Sequence, residues 1–391
     1  MKILSVICEF DPFHNGHAYL LSQARQKSGA EYTVCIMSGC VTQRGTFSRY
    51  DKRLRAKAAL LHGADLVIEL PVRFSCAGAD DFAAGGIALA SALGDEVCLG
   101  FGCEGRFLPF IQEFAGALRS GADLTGPLKQ ALAEGLSYPA AMSRALTDLF
   151  PQFPALDSPN ALLALSYLSH LPSSIQPIPI ERTGCGYHEL RPSPLASASF
   201  IRQAMAEGKY DLAASALPEA ELFLEAEKEK DICTEDALDT ALLFHLRSLS
   251  PADLSSIAGV CEGLENRILS CARRACSRDE LLALCKTKRY TWTRLSRICT
   301  CALLGMTNQD LQDYPSPQYL RVLGFRRQAL PLLHSISKRS ALPLVTRACD
   351  APAQSRLFSL DQRAQDLWSL GCSCKGARQT GRDLRSSCVI V

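Results

Sequence analysis

Two histidines, His14 and His17, lie three residues apart in the segment Ile7-Cys8-Glu9-Phe10-Asp11-Pro12-Phe13-His14-Asn15-Gly16-His17. An imidazole can donate a hydrogen bond to a phosphate oxygen, or to charge developing on one during transfer. Two imidazoles at one point suit the α-phosphate of a nucleotide. A second cluster, Ser197-Ala198-Ser199-Phe200-Ile201-Arg202, offers hydroxyls and a guanidinium to further phosphates. The competing assignments are two surface histidines on an ordinary loop, and a serine-capped helix with a surface arginine. A third candidate is Met37-Ser38-Gly39-Cys40-Val41-Thr42-Gln43-Arg44-Gly45, where the glycines permit close backbone approach. Arg44 there suits a carboxylate or a phosphate, and the alternative is a plain glycine-containing turn.

Particular elements must position these groups. The apolar run from Ile3 to Ile7 predicts a buried strand, broken at Asp11-Pro12, and Ala18 to Lys27 predicts an amphipathic helix. The histidines then fall where a strand hands over to a helix N-terminus. Backbone N–H groups are unpaired there and the helix dipole favours anions. Strand patterns at 32–37, 65–70, 96–99 and 175–180 alternate with helical patterns at 50–62, 79–93 and from Ser158-Pro159 to about His170. Alternation of this kind predicts βαβ units and a parallel sheet. Ligands on such sheets bind beyond the carboxyl ends of the strands. The tips to examine are therefore 9–17, 38–47, 71–78 and 100–104, where Gly100 and Gly102 would let the chain pass close to an adenine or ribose. After Gly208 the texture changes to an acidic, helix-favouring stretch, further helices to about 310, and a mixed tail.

Composition narrows the class. The chain has 391 residues, 47% hydrophobic and 21% charged, as expected of a soluble protein of two or three domains. A net charge of +2 announces no nucleic-acid partner, so only a local patch could serve one. No apolar run approaches the ~20 residues that cross a bilayer, and no secretory pattern opens the chain. A cytoplasmic protein without a membrane partner is expected. The 18 cysteines are scattered, without CxxC spacing and often inside apolar segments. They suit small buried hydrophobes rather than a disulfide framework or a metal site. The strongest local patch comprises Arg267, Arg273, Arg274, Arg278, Lys286, Lys288, Arg289, Arg294 and Arg297, with Tyr290 and Trp292 interleaved. Such a patch attracts RNA phosphates and stacks splayed bases. The alternative is a solvated helix face with its aromatics in the core.

The segment Phe13 to His17 resembles the HxGH signature of the HIGH-motif nucleotidyltransferase superfamily, and Ser197 to Arg202 resembles the ISSTxIR motif of adenylyltransferases. Glu9 to His17 as a whole resembles the EYNPFHNGH opening of the bacterial tRNA(Met) cytidine acetate ligase family. Similarity to that family continues in order through Gly63-Ala64-Asp65-Leu66-Val67-Ile68-Glu69-Leu70-Pro71, Phe101-Gly102-Cys103-Glu104, Ser158-Pro159-Asn160, Gly184-Cys185-Gly186-Tyr187-His188, Gly263 to Ile268, Thr287 to Leu295 and Tyr319 to Phe325. Phe10-Asp11 and Cys40-Val41 depart from the family's usual Tyr-Asn and Asn-Phe, and the tail after about Gly371 matches poorly.

The resemblance implies an α/β fold. A Rossmann-like parallel-sheet nucleotidyltransferase domain would span 1–210, and a mainly helical domain, binding tRNA, would span 211–391. It implies an ATP-dependent ligase that forms acetyl-adenylate and acetylates the exocyclic amine of the wobble cytidine of elongator tRNA(Met). ATP contacts would fall on Ile7, Cys8, Glu9, Phe10, Asp11, Pro12, Phe13, His14, Asn15, Gly16, His17, Ala18, Tyr19 and Leu20, on Gly102, Asn160 and Arg182, and on Ser197 and Ser199. His14, His17 and Arg202 would be catalytic, and Lys288, Arg289, Tyr290 and Arg294 would meet tRNA. Mg²⁺ would be carried by the phosphates, with no dedicated protein cage. Two competitors are a small-molecule adenylyltransferase making a dinucleotide cofactor and a non-catalytic RNA-binding protein. The basic and aromatic second half argues against the first. Intact His14, His17 and Arg202 argue against the second.

Overall fold

The computed structural model describes residues 1–391 apart from 121–123, 137, 152–155, 157, 183–192, 235, 262, 288 and 353–354. Strands β1 (Ile3–Cys8), β2 (Tyr32–Ser38), β3 (Leu66–Leu70), β4 (Val97–Cys103) and β5 (Gln176–Glu181) lie parallel in the order β5-β4-β1-β2-β3. Helices α1 (Asn15–Ser28), α2 (Lys52–Leu61), α3 (Ala79–Ser91) and α4 (Pro159–His170) lie on the crossovers between them. The strand order reverses between β1 and β4. That switch point is where a sheet of this kind leaves a crevice for a ligand.

Residues alternate between two apolar cores. Ile3, Ile7, Val34, Ile36, Leu66 and Ile68 face one, while Leu4, Val6, Cys35, Met37 and Val67 face the other. Strands covered on both faces appear in sequence as continuous apolar runs. Helix α3 lies directly on β1, since a Cβ added at Gly86 would stand 2.5 Å from Ile7 Cδ1. Gly100, expected beside an adenine or ribose, serves packing instead: a Cβ there would meet Ala24 Cβ and Leu4 Cδ1 at 3.0 Å.

After β5 the chain forms α5 (Ala198–Ala206) and then a helical lobe. The lobe includes α6 (Asp239–Ser248), α7 (Leu264–Ala272), α8 (Arg278–Cys285), α9 (Trp292–Leu304) and α10 (Arg356–Leu370). Leu242, Leu246, Ile268, Leu282, Leu295, Ile298 and Trp368 share its core. The sheet does not end at the expected boundary near 210. β6 (Leu320–Phe325) pairs antiparallel with β3, and β7 (Leu344–Val345) and β8 (Val389–Ile390) pair with β6. The change of texture after Gly208 therefore marks where the chain leaves the sheet, and the sheet is completed from the far side of the helical lobe.

The return is fixed by buried charge. Lys52 Nζ lies 2.7 Å from Glu69 and 3.1 Å from Asp383, and Arg321 lies 3.3 Å from Glu69 and 2.7 Å from Asp383. None of the four side chains is more than 4% exposed. Most cysteines among the described residues are buried, and those assigned are free thiols. No helix among the described residues is long and apolar enough to cross a membrane.

Candidate active site

A cavity of about 300 Å³ opens at the carboxyl ends of β1 and β4. Three helix N-termini border it. In α1, His14 Nδ1 accepts from Gly16 N–H at 3.1 Å; in α4, Ser158 Oγ accepts from Ala161 N–H at 3.3 Å; in α5, Ser197 Oγ accepts from Phe200 N–H at 3.3 Å. No acidic residue occupies the first turn of any of them. Helix ends of this kind present spare N–H groups and a positive dipole end to an anion.

The two histidines form a reciprocal cap. His17 Nδ1 accepts from His14 N–H at 3.3 Å while His14 Nδ1 accepts from Gly16. A backbone N–H only donates, so both Nδ1 atoms are unprotonated and each ring carries its proton on Nε2. The rings stack with centroids 3.7 Å apart. Burial, with the Arg182 and Arg202 guanidiniums beside it, pushes the His14 pKa down to about 3. Burial, His14 and Arg182 hold His17 well below its ordinary value. At neutral pH the pair therefore presents two neutral Nε2–H donors. Gly16 is required for this cap, because a Cβ there would come within 2.9 Å of His14 Cε1.

Cations surround the cavity. Arg202 Nη1 donates to the Asp11 carbonyl at 2.5 Å and lies 3.9 Å from its carboxylate. The Asp11 carboxylate is already engaged by Arg49 N–H at 3.0 and 3.2 Å. Arg182 passes over Gly102, where a Cβ would stand 3.2 Å from Arg182 Cγ. Arg44 enters on the loop 42–46, which is held from three sides. Glu9 Oε1 accepts from Gln43 N–H at 2.6 Å. Gly45 O accepts from Thr300 Oγ1 at 2.6 Å and from Arg278, and Arg297 donates to Gln43 O at 3.2 Å. Arg55, fully buried, donates to Glu9 O at 2.6 Å, Ser38 O at 3.2 Å and Gly39 O. Gly45 has φ +74°, and a Cβ on it would stand 2.6 Å from Arg297 Cα. Burial raises the Glu9 carboxyl above its ordinary pKa, opposed by the Gln43 N–H and Arg44.

The expected ATP contacts divide in two. Ile7, Cys8, Glu9, Phe10, Asp11, His14, His17, Leu20, Gly102, Asn160, Arg182, Ser197 and Ser199 line the cavity, as does Arg202, expected to be catalytic. Pro12, Phe13, Asn15, Gly16, Ala18 and Tyr19 are not among its lining. Phe13 is wholly buried in the core, and Ala18 and Tyr19 pack against it. Asn15 Nδ2 donates to Pro194 O at 2.9 Å and Ser215 O at 3.2 Å, tying α1 to the segments around α5. Two groups of contributors stand outside the expected contacts. Phe82, Phe101, Leu163 and Tyr167 form an apolar wall, and they look like ordinary core residues of strand and helix. Glu104 accepts from Asn160 Nδ2 at 2.8 Å and from Ser158 Oγ at 2.6 Å, so it aims the start of α4. Its place on the Phe101–Glu104 strand tip was the available clue.

The expected tRNA contacts fare unevenly. Lys288 lies outside the described residues, as does the tip Gly184 to His188. Arg289 is exposed. Tyr290 is only 9% exposed; its hydroxyl is 3.6 Å from Cys261 Sγ, and its ring carries the Arg289 and Arg294 guanidiniums at 5.7 and 5.4 Å. Arg294 also donates to Gly259 O at 3.1 Å. The Tyr290 ring is thus a core element rather than a platform open to a base. Trp292, 40% exposed at the start of α9, is open.

A switch-point cavity behind a histidine-capped first crossover helix defines the class of the HIGH nucleotidyl transferases, and residues 1–383 match the family described as HIGH Nucleotidyl Transferase. The tRNA(Met) cytidine acetate ligase of Lysinibacillus sphaericus (strain C3-41) is 34% identical over 384 residues, covering 95% of this chain and 94% of that one. Its counterpart from Acetivibrio thermocellus is 35% identical over 420 residues and both chains are covered fully, at 100%. Among solved structures, Thermotoga maritima TmcAL bound with alpha-thio ATP matches at TM-score 0.90 and 30% identity, covering 100% of this chain and 99% of that one. The chain belongs to the tRNA(Met) cytidine acetate ligase family.

Proposed function

We propose that this protein activates acetate with ATP and transfers the acetyl group to the exocyclic amine of the wobble cytidine of elongator tRNA(Met), releasing AMP and pyrophosphate. The observation that carries the proposal is the cavity where three helix N-termini and two neutral imidazole N–H groups converge with Arg182 and Arg202. An acetate oxygen attacks the α-phosphorus and pyrophosphate leaves in line. Such chemistry asks a protein mainly for positioning and charge stabilisation. His14 and His17 donate from Nε2 to the α-phosphate as its charge rearranges. Ser197, Ser199 and Arg202 hold the departing pyrophosphate, and Arg44 meets the acetate carboxylate. Phe82, Phe101 and Tyr167 offer an apolar face to the adenine.

In the second step the cytidine amine attacks the acetyl carbonyl carbon, the bond to the AMP oxygen breaks, and the amine loses a proton. The basic segment around Arg289 and Arg294, together with Lys288, meets the RNA backbone, in keeping with a cytoplasmic enzyme. Mg²⁺, which neutralises phosphate charge when bound, fits as a passenger on ATP. Among the described residues no group of three or more His, Cys, Asp or Glu side chains could hold a metal. The nearby carboxylates of Glu9 and Asp11 already accept backbone N–H donors. Mg²⁺ would then keep phosphate and water ligands.

Incubation with ATP, labelled acetate and elongator tRNA(Met) tests the proposal. Label is expected in tRNA as N4-acetylcytidine, with one AMP and one pyrophosphate per acetyl group. A dinucleotide product formed without tRNA, or RNA binding without ATP consumption, would overturn it.

A further inference from the structure

A second and larger cavity, of about 730 Å³, lies between α5 and the helical lobe. It shares Thr46, Ser199 and Arg202 with the nucleotide cavity, so the two chambers adjoin at these residues. Nothing in the activation of acetate calls for it. The nucleotide cavity, at about 300 Å³, is at the lower end of small-ligand sites and is accounted for by one nucleotide. The acceptor needs a place of its own.

The lining of the larger chamber matches a pyrimidine that presents an amine. Trp292, 40% exposed, contributes an aromatic face. Leu238, Leu242 and Leu282 supply an apolar floor. The carboxylates of Asp239 and Asp279 line it as well, with Arg278 next to Asp239, and Arg49 lines it too. A cytosine base needs these three things: a stacking surface, an acceptor for its amine hydrogens, and donors for its ring nitrogen and carbonyl. The two arginines are already braced. Arg49 makes a two-pronged pair with Glu227 at 2.6 and 2.7 Å, and Arg278 donates to Ser296 Oγ at 2.8 Å. These contacts use Nε and Nη2 of Arg49 and Nη2 of Arg278, so both side chains are held in place as donors to the chamber. The exposed Arg289 lies just ahead of Trp292 in the chain, so an RNA backbone following the basic segment passes the mouth of the chamber.

We propose that this chamber holds the acceptor nucleobase, flipped out of the RNA loop and stacked on Trp292, and that the acetyl group, which in-line attack leaves on the Arg44 side away from pyrophosphate, is handed over past Thr46. The inference rests on the ligase activity proposed above and adds the acceptor's site to it. The amine attacks the acetyl carbon where the two chambers meet; AMP leaves with the bonding pair and the amine proton goes to water.

Three readouts on Trp292→Ala, Trp292→Phe and Ala206→Trp test it. Ala206 is an exposed residue of α5 that lines the chamber, where a large ring would narrow it. The readouts are acetate-dependent exchange of pyrophosphate into ATP, kcat/KM for tRNA acetylation, and the fluorescence of an anticodon stem-loop carrying a fluorescent cytidine analogue at the wobble position. Loss of one base-stacking contact corresponds to roughly 5- to 150-fold. Trp292→Ala and Ala206→Trp should each depress acetylation by about 10- to 100-fold more than they depress exchange, with Trp292→Phe restoring most of it. Fluorescence should be quenched on binding to the wild-type protein and not to Trp292→Ala. Equal losses in both half-reactions, no loss in acetylation, or quenching that persists in Trp292→Ala would overturn the chamber assignment. Absence of acetate-dependent exchange in the wild-type protein would instead count against the ligase reading, and the fluorescence comparison would still decide the chamber.

Discussion

Two clusters of buried charge sit on this sheet, and they are built in opposite ways. In the cluster of Lys52, Glu69, Arg321 and Asp383, each cation has both carboxylates within 3.3 Å. Charge among these four is matched and closed to solvent, and Arg53 adds a further contact to Asp383 at 2.9 Å. At the nucleotide cavity Arg44, Arg182, Arg202 and three helix N-termini gather around Glu9 and Asp11, whose carboxylates accept N–H groups from Gln43 and Arg49. Positive charge is in excess there, and burial together with that charge holds the two histidines neutral. The matched cluster fastens the returning C-terminal segment to β3 and α2. The unmatched one keeps Arg202 partly exposed at 30%, and it gains when a polyanion enters. Burial of charge alone does not mark a site; burial of an imbalance does.

That contrast can be broken at either end. The largest effect is expected for Lys52→Met, which removes one of the two cations that Glu69 and Asp383 share. A loss of about 3–5 kcal/mol in urea denaturation is expected, because removing one member of a buried pair leaves an uncompensated charge. A loss under about 1 kcal/mol would show that the cluster does not fasten the sheet.

His17→Ala should act on chemistry. Removing one preorganised donor to a developing charge costs about 100- to 1000-fold in rate. Acetate-dependent pyrophosphate exchange should fall by that order, with much less change in the denaturation midpoint. An equal collapse of folding would make His17 a structural cap only.

A third, smaller effect concerns pH. The His14 pKa is about 3 in the fold, against about 6.5 when unfolded, so the unfolded chain takes up the proton first as pH falls. Stability of the nucleotide-free protein should be full above about pH 6.5 and be lost progressively toward pH 3, by about 2 kcal/mol at pH 5 from this group alone. His14→Gln should remove that portion of the slope, and saturating ATP should reduce it by favouring the protonated ring. A slope unchanged in His14→Gln would contradict the neutral, buried pair.

Much of the site was legible because local sequence dictates it. The run Ile3 to Ile7 is apolar since β1 is covered on both faces, and Gly16 is fixed by the His14 cap. Ser158, Pro159 and Ser197 announce helix starts by their own chemistry. What escaped is decided at long range. β6 joins the sheet about 250 residues after β3 in the chain, by pairing alone. Tyr290 and Trp292 are both aromatics among arginines; contact with Cys261, 29 residues away, buries one and leaves the other exposed. Glu104 acts through Asn160, which sits 56 residues on. No periodicity records such contacts.

The central claim is that acetate attacks the α-phosphate held at His14 and His17. Acetate labelled in both oxygens with oxygen-18, incubated with ATP, elongator tRNA(Met) and the protein, tests it directly by mass spectrometry of the products. One labelled oxygen should appear in the AMP phosphate and none in pyrophosphate, because the acyl–oxygen bond breaks in the second step. Unlabelled AMP, or label in pyrophosphate or free phosphate, would contradict it.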